Sequence, residues 1–375
     1  MKNHFLFIYS TMLILGVLLL FTSGCKEDET PKKDPVITWS DPADITLGIP
    51  LSNTQLNATA DVPGTFVYNP PVGTIMDEGL NQDLKVDFTP ADAVSYTTVS
   101  KTVKINVINP ANPASLVLID IPAGTFTMGS PASETDRNDD ETQHQVSLSP
   151  FKMSKYEVSN AQYAAFLNAK SIGGNGLYAA GLYPSEVLIY ESSGSFDWGL
   201  HFTSGKWVPV ANFENHPVIH VTWYGATEFA IYAGGTLPTE AQWEYACRSN
   251  TTMPFSTGNC LSNVQANYNW AYPYSTCTNT VTTYTGTTQT VSAYAANASG
   301  LYGMHGNVWE WCSDWYGIYP TTAQNNPTGP PTGSARVARG GGWSNEAKYC
   351  RSAFRNYGSP ASSGNDIGFR VVMVP

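Results

Sequence analysis

The chain has 375 residues and a net charge of -11; charged residues make up 13% and aromatics 12%, with 32 Gly and 25 Pro. This length allows more than one domain and a large core. The negative charge repels phosphate backbones and excludes nucleic acid as a natural partner. The Gly, Pro and aromatic content points to a loop-rich, strand-rich, extracytoplasmic protein, not a helical one.

Residues 1–24 read as a signal segment, with Lys2 before an apolar run at 5–21. The run is short for a spanning helix. Thr22-Ser23-Gly24-Cys25 resembles a bacterial lipobox, with Thr22 in place of the usual leucine. That resemblance implies acylation of Cys25 and a lipid anchor in the outer membrane or at the cell surface. The acidic run 26–29 resembles a surface-sorting signal, and residues 25–34 form a polar linker. Five cysteines remain, and outside the cytoplasm disulfides are permitted. An odd number leaves at least one thiol unpaired.

From 35 to 108 the pattern predicts short strands at 36–39, 65–68, 84–88 and 102–107, separated by Gly and Pro turns. Such spacing suits an all-β immunoglobulin-type sandwich acting as a spacer. A Pro-rich junction at 109–113 separates it from a second domain at 114–375. That domain opens with a strand at 116–119 and carries five carboxylates at 134–141, expected to be a solvated loop. Capping signals predict three helices, starting at Ser159, Thr222 and Thr239. The third carries Cys247 on its buried face, as a small apolar group or half of a disulfide. Residues 249–300 are too long for a simple connection, and Cys260 and Cys277 are expected to pair across this loop. Beyond it, 350–355 alternates like a strand, after three glycines that imply a tight bend or close approach before Trp343.

The ordered motifs of this domain resemble those of the formylglycine-generating enzyme, or sulfatase-modifying factor, family. They are Ile-Pro-Ala-Gly-Thr-Phe-Thr-Met-Gly at 121–129, Lys-Tyr-Glu-Val-Ser-Asn at 155–160, His-Pro-Val at 216–218 and Val-Thr-Trp at 221–223. Further on come Leu-Pro-Thr-Glu-Ala-Gln-Trp-Glu-Tyr at 237–245, Gly-Asn-Val-Trp-Glu-Trp at 306–311, Arg-Gly-Gly-Gly-Trp at 339–343 and Gly-Phe-Arg at 368–370. The resemblance implies an α+β, C-type-lectin-like fold with much irregular loop. It also implies oxygen-dependent oxidation of a sulfatase cysteine to formylglycine, using copper(I) held by two thiolates.

Here the chain departs from the family's paired cysteines. Counted from the glycine turn, Asn345 takes the first cysteine's place and Cys350 the second's. If the domain is catalytic, Cys350 and Cys312 would be the thiolate ligands and copper the cofactor. Counted back from Gly368, Cys350 falls near a structural cystine position facing Cys247. A Cys247–Cys350 disulfide is the favoured expectation, a Cys312–Cys350 pair its rival, and a lone reactive Cys350 the third possibility. The resemblance also implies calcium, with Asn267 and the Tyr268 carbonyl in one loop and Asn297 and the Gly300 carbonyl in another. Thr282 stands where the first loop would have an aspartate. A three-histidine iron site, found in another branch of the superfamily, is disfavoured because Pro217 breaks the His216–His220 spacing. With the cysteine pair incomplete, the favoured function is a non-catalytic module binding an extracytoplasmic protein, peptide or glycan. Its groove would be lined by Trp309, Trp311, Trp343 and Arg351. The alternative is a formylglycine-generating oxidoreductase.

Overall fold

The computed structural model describes residues 31–109, 114–281 and 283–374. The expected signal segment, Cys25, most of the Pro-rich junction and Thr282 lie outside them. The described residues are mostly β, with three short α-helices among them.

In the N-terminal unit the expected strands appear as Ile37–Thr38, Gly64–Asn69, Gly79–Pro90 and Val99–Ile108. The last three form an antiparallel ladder, with Phe66 opposite Phe88 and Leu84 opposite Val103. Alternation works as a half-buried sheet requires: Leu84, Val86 and Phe88 are fully buried, and Lys85 and Asp87 point out. Ile37–Thr38 pairs separately with Thr59–Ala60 across the apolar core.

The C-terminal unit has short strands in small sheets. Trp309–Trp315 runs antiparallel to Arg336–Arg339 and parallel to Ile367–Gly368, so the three most recognisable motifs meet in one sheet. Helices α1 (Asn160–Ala169), α2 (Trp223–Tyr232) and α3 (Glu240–Arg248) begin where the caps predict. Ser159 and Thr239 each form a reciprocal capping box with a glutamine, and Thr222 Oγ1 accepts from the Gly225 N–H. The α1 and α2 faces meet through Tyr163, Phe166 and Phe229, whose rings lie 5.4–5.7 Å apart.

Buried arginine–carboxylate pairs tie these pieces together. Arg339 spans Glu240 and Glu244 at 2.6 and 2.7 Å, and Arg355 grips both oxygens of Glu240. Arg370 forks onto Glu310, which also accepts from Trp243 Nε1 at 2.7 Å. The 134–141 segment is the solvated loop expected only in part: Asp136 and Asp139 are exposed. Glu141 is fully buried, and with Glu134 it clasps Arg351.

Candidate functional site

The glycine turn at 340–342 shapes the site. Gly340 and Gly341 have φ of 99° and 78°, where side chains are strained. A Cβ on Gly341 would lie 2.6 Å from Cys350 Sγ, and one on Gly340 3.1 Å from the Trp243 ring. The expected close approach is therefore between backbone and a buried sulfur.

The expected strand at 350–355 is absent. Ala347–Cys350 is a 3-10 turn, and both alternating faces that follow are buried. This change of backbone overturns the expected Cys247–Cys350 disulfide. Cys247, Cys312 and Cys350 are all free and buried. Ser352, two residues further on, comes opposite α3, with its Oγ 3.6 Å from Cys247 Sγ. Cys350 Sγ lies 3.9 Å from the Glu346 carbonyl, and Cys312 Sγ 3.9 Å from the Glu310 carbonyl. The rival Cys312–Cys350 bond is absent as well. The Cys260–Cys277 disulfide is formed and closes the irregular loop.

Burial raises all three thiols: Cys247 to about 12, Cys312 well above its usual range, and Cys350 strongly upward. Each is held as a neutral thiol, neither nucleophile nor soft anionic ligand. Asn345, in the first cysteine's place, spends its Oδ1 on the Gly342 N–H at 2.8 Å. These residues do not fit a bis-thiolate copper(I) site.

His305 sits beside Cys247, and its tautomer follows from its partners. Nε2 lies 3.0 Å from the Ser256 N–H, which can only donate, so Nε2 is unprotonated. Nδ1 carries the proton and donates to the Cys350 carbonyl at 2.8 Å. Burial pushes the ring down to about 4 and keeps it neutral. Cys247 Sγ stands 3.8 and 3.9 Å from the two ring nitrogens, which are engaged elsewhere, so no thiolate–imidazolium pair exists.

His305 also lines a cavity of about 220 Å³ with Glu157, Asn267 and Asn307. Glu157 is buried; its Oε1 accepts from Asn307 Nδ2 at 2.9 Å, and its Oε2 has no partner among the described residues. Burial raises it to about 8, with Glu310 adding to the rise and Arg370 opposing it.

The asparagines expected to bind calcium make internal hydrogen bonds. Asn267 donates to the Thr287 carbonyl and to Asn307, and accepts from Thr285. Tyr268 is buried, its hydroxyl donating to the Leu261 carbonyl. Asn297 donates to the Ala246 carbonyl near the end of α3 and accepts from the Ser299 and Leu301 N–H groups, while Gly300 donates to the Asn297 carbonyl.

Of the four expected groove residues, Trp309 and Trp311 line one recess of about 180 Å³, rimmed by Tyr357, Ser362 and Asp366. Trp343 lies apart, edge-on to Trp198 at 5.6 Å and stacked with Tyr284 at 6.1 Å. Arg351 is corrected outright. It is fully buried in its ion pairs and faces no groove. Sequence reasoning missed its partners; the available signal was five carboxylates in a chain with only 19 Lys and Arg.

Residues 107–374 match the family model described as a sulfatase-modifying factor enzyme 1-like domain. The chain is 33% identical over 275 residues to the formylglycine-generating enzyme of Bos taurus, covering 68% of this chain and 73% of that protein. It is 33% identical over 280 residues to the formylglycine-generating enzyme of Streptomyces coelicolor, covering 67% and 87%. A serine/threonine-protein kinase, pkn1 of Chlamydia caviae, is 33% identical over 258 residues, covering 68% of this chain and 37% of that one. Among solved structures, PvdO from Pseudomonas aeruginosa superposes with a TM-score of 0.52 at 26% identity, over 68% of this chain and 93% of that one.

Proposed function

This chain belongs to the sulfatase-modifying factor enzyme 1-like domain family, and from that premise we propose that it is a non-catalytic binding member of it. The carrying observation is the site of the family's oxidase chemistry. Asn345 brings no sulfur there, and the three free thiols are buried and neutral. In this reading the N-terminal β unit is an immunoglobulin-type spacer. A lipid on Cys25 ties the chain to the outer membrane or cell surface. The recess of Trp309 and Trp311 takes an extracytoplasmic peptide, glycan or protein segment, stacking on aromatic faces with a polar rim for orientation. The asparagine-rich loops remain candidates for calcium, read by flame or plasma spectrometry of the dialysed protein.

The opposing reading is a formylglycine-generating oxidoreductase, favoured by 33% identity to proteins of that name. The two are separated by free-thiol mapping, copper(I) titration and incubation with a Cys-x-Pro-x-Arg peptide in air. The binding reading expects three free thiols, no stoichiometric copper and an unchanged peptide. An aldehyde on the peptide would overturn it.

A further inference from the structure

The Trp309–Trp315 strand delivers Asp314 to the start of α3, and the segment 317–330 folds back over that junction. Between them lies a cavity of about 460 Å³. Its walls mix apolar groups, Met128, Ala241, Tyr319 and Pro327 among them, with polar ones such as Gln324 and Asn326, and it shares no lining residue with the Trp309–Trp311 recess.

The polar groups at its base are unequally satisfied. Arg355 also lines the cavity, with four of its five N–H donors taken. Nε and one terminal nitrogen hold both oxygens of Glu240, and the other donates to the Asp140 and Gly317 carbonyls. The charge of Glu240 already offsets this cation. Asp314 is 4% exposed. Its Oδ2 accepts from the Glu240 N–H at 3.0 Å and from Ser313 Oγ at 3.1 Å. Its Oδ1 has no hydrogen bond and no cation within ion-pair distance among the described residues. Gly329, at φ 72°, passes close by; a Cβ there would sit 3.1 Å from Oδ1. His144 donates Nδ1–H to the Thr142 carbonyl at 3.1 Å, which leaves Nε2 as an acceptor. The unspent groups are thus mainly acceptors, and one is the oxygen of a buried carboxylate that makes no direct ion pair among the described residues.

We propose that this cavity binds a lysine-type cationic side chain of a peptide, with its ammonium on Asp314 Oδ1 and its methylene stem along Met128, Tyr319 and Pro327. The net charge of -11 favours approach of such a ligand. Burial, with Glu240 nearby, raises Asp314 to about 7, so an ammonium and a proton compete for one oxygen. The charges around the base are Glu240 and Asp140 against Arg336, Arg339 and Arg355; Arg336 donates to the adjacent Ser313 carbonyl, and the Tyr319 hydroxyl donates to Glu240.

The test is calorimetric titration of the full chain with acetyl-Gly-Lys-Gly-amide and with the same peptide carrying norleucine for lysine. The lysine peptide is expected to bind more tightly, by about tenfold more at pH 8 than at pH 6 as one acid near pH 7 ionises. Asp314→Asn keeps an acceptor for the helix cap and is expected to lose at least that tenfold while leaving the norleucine peptide unchanged. Thr328→Trp plugs the mouth from an exposed position and is expected to abolish lysine-peptide binding even if Asp314→Asn fails to fold. Equal affinity for both peptides, unchanged binding in a folded Asp314→Asn, or unchanged binding in Thr328→Trp would each overturn the proposal.

Discussion

Exposed ion pairs occur in both parts of this molecule, Lys152–Asp120 among them in the C-terminal unit, but among the described pairs the buried ones belong to the C-terminal unit. In the N-terminal unit, Lys85–Asp87 and Lys104–Asp83 lie on the surface, with side chains 47–65% exposed. The core beneath them is apolar, from Trp39 to Val107. In the C-terminal unit, Arg339, Arg351, Arg355 and Arg370 are at most 4% exposed and pair with equally buried glutamates. The difference follows from the backbone. Long strands satisfy one another's N–H and C=O groups, so an apolar core suffices. The C-terminal unit has long irregular segments whose carbonyls need donors. Arginine forks supply them while the glutamates balance the charge. Arg370 donates to the Ser154 and Tyr302 carbonyls, Arg351 to that of Asp136, and Arg355 to those of Asp140 and Gly317.

The strongest way to break this comparison is Arg339→Ala. It removes one of two cations from Glu240, which keeps Arg355, and one of two from Glu244, which keeps Arg248, and it takes the donor from the Ser352 carbonyl. Removing one partner from a buried ion-pair network costs about 3–5 kcal/mol, with the remaining Arg355 and Arg248 placing this change toward the lower end. Urea unfolding should show that loss. A cost below about 1 kcal/mol would mean that water, not arginine, satisfies those groups.

The same contrast governs what could be read from sequence. Strands at 84–88 and 102–107 were legible because period-2 alternation has one reading when one face is buried. The helix starts at Ser159, Thr222 and Thr239 were legible because capping is local chemistry. The Cys260–Cys277 bond was legible because both residues bracket one loop. The family followed from eight ordered motifs, but the disposition of Cys350 did not. Residues 350–355 alternate like a strand, yet both faces are buried, so the pattern carried no information about direction. Arg351 read as a groove residue because nothing local shows that its partners, Glu134 and Glu141, lie over 200 residues away.

A smaller effect sharpens the comparison through pH. Glu157 is one carboxyl of the C-terminal unit, with Asp314, whose charge the arginines do not fully balance, and it is raised to about 8. Between its unfolded value near 4.5 and about 8, the folded chain holds a proton that the unfolded chain has released. Stability therefore falls as pH rises through that window. His305 acts oppositely: lowered to about 4, it costs stability as pH drops below 6.5. Glu157→Gln should remove its own share of the alkaline decline, on the order of 2 kcal/mol between pH 5 and 8, and leave both the share of Asp314, raised to about 7, and the acid limb in place. Thermal melts across that range measure both. A wild-type curve flat from pH 5 to 8 would show Glu157 compensated by a group outside the pairs described.

The smallest effect is expected where the same chemistry lies on the surface. Asp83 meets Lys104 at 2.6 Å, as close as Arg339 meets Glu240, but the two side chains are 65% and 51% exposed. Water already solvates both partners, so the pair replaces solvation it scarcely improves. Asp83→Asn should change unfolding free energy by no more than about 0.5 kcal/mol, and less at high salt. Distance is thus a poor guide to what an ion pair contributes here; the solvation it displaces decides. If Asp83→Asn destabilised as much as Arg339→Ala, burial would not be the deciding variable. The arginines would then have to be explained by contacts other than the carbonyls they satisfy.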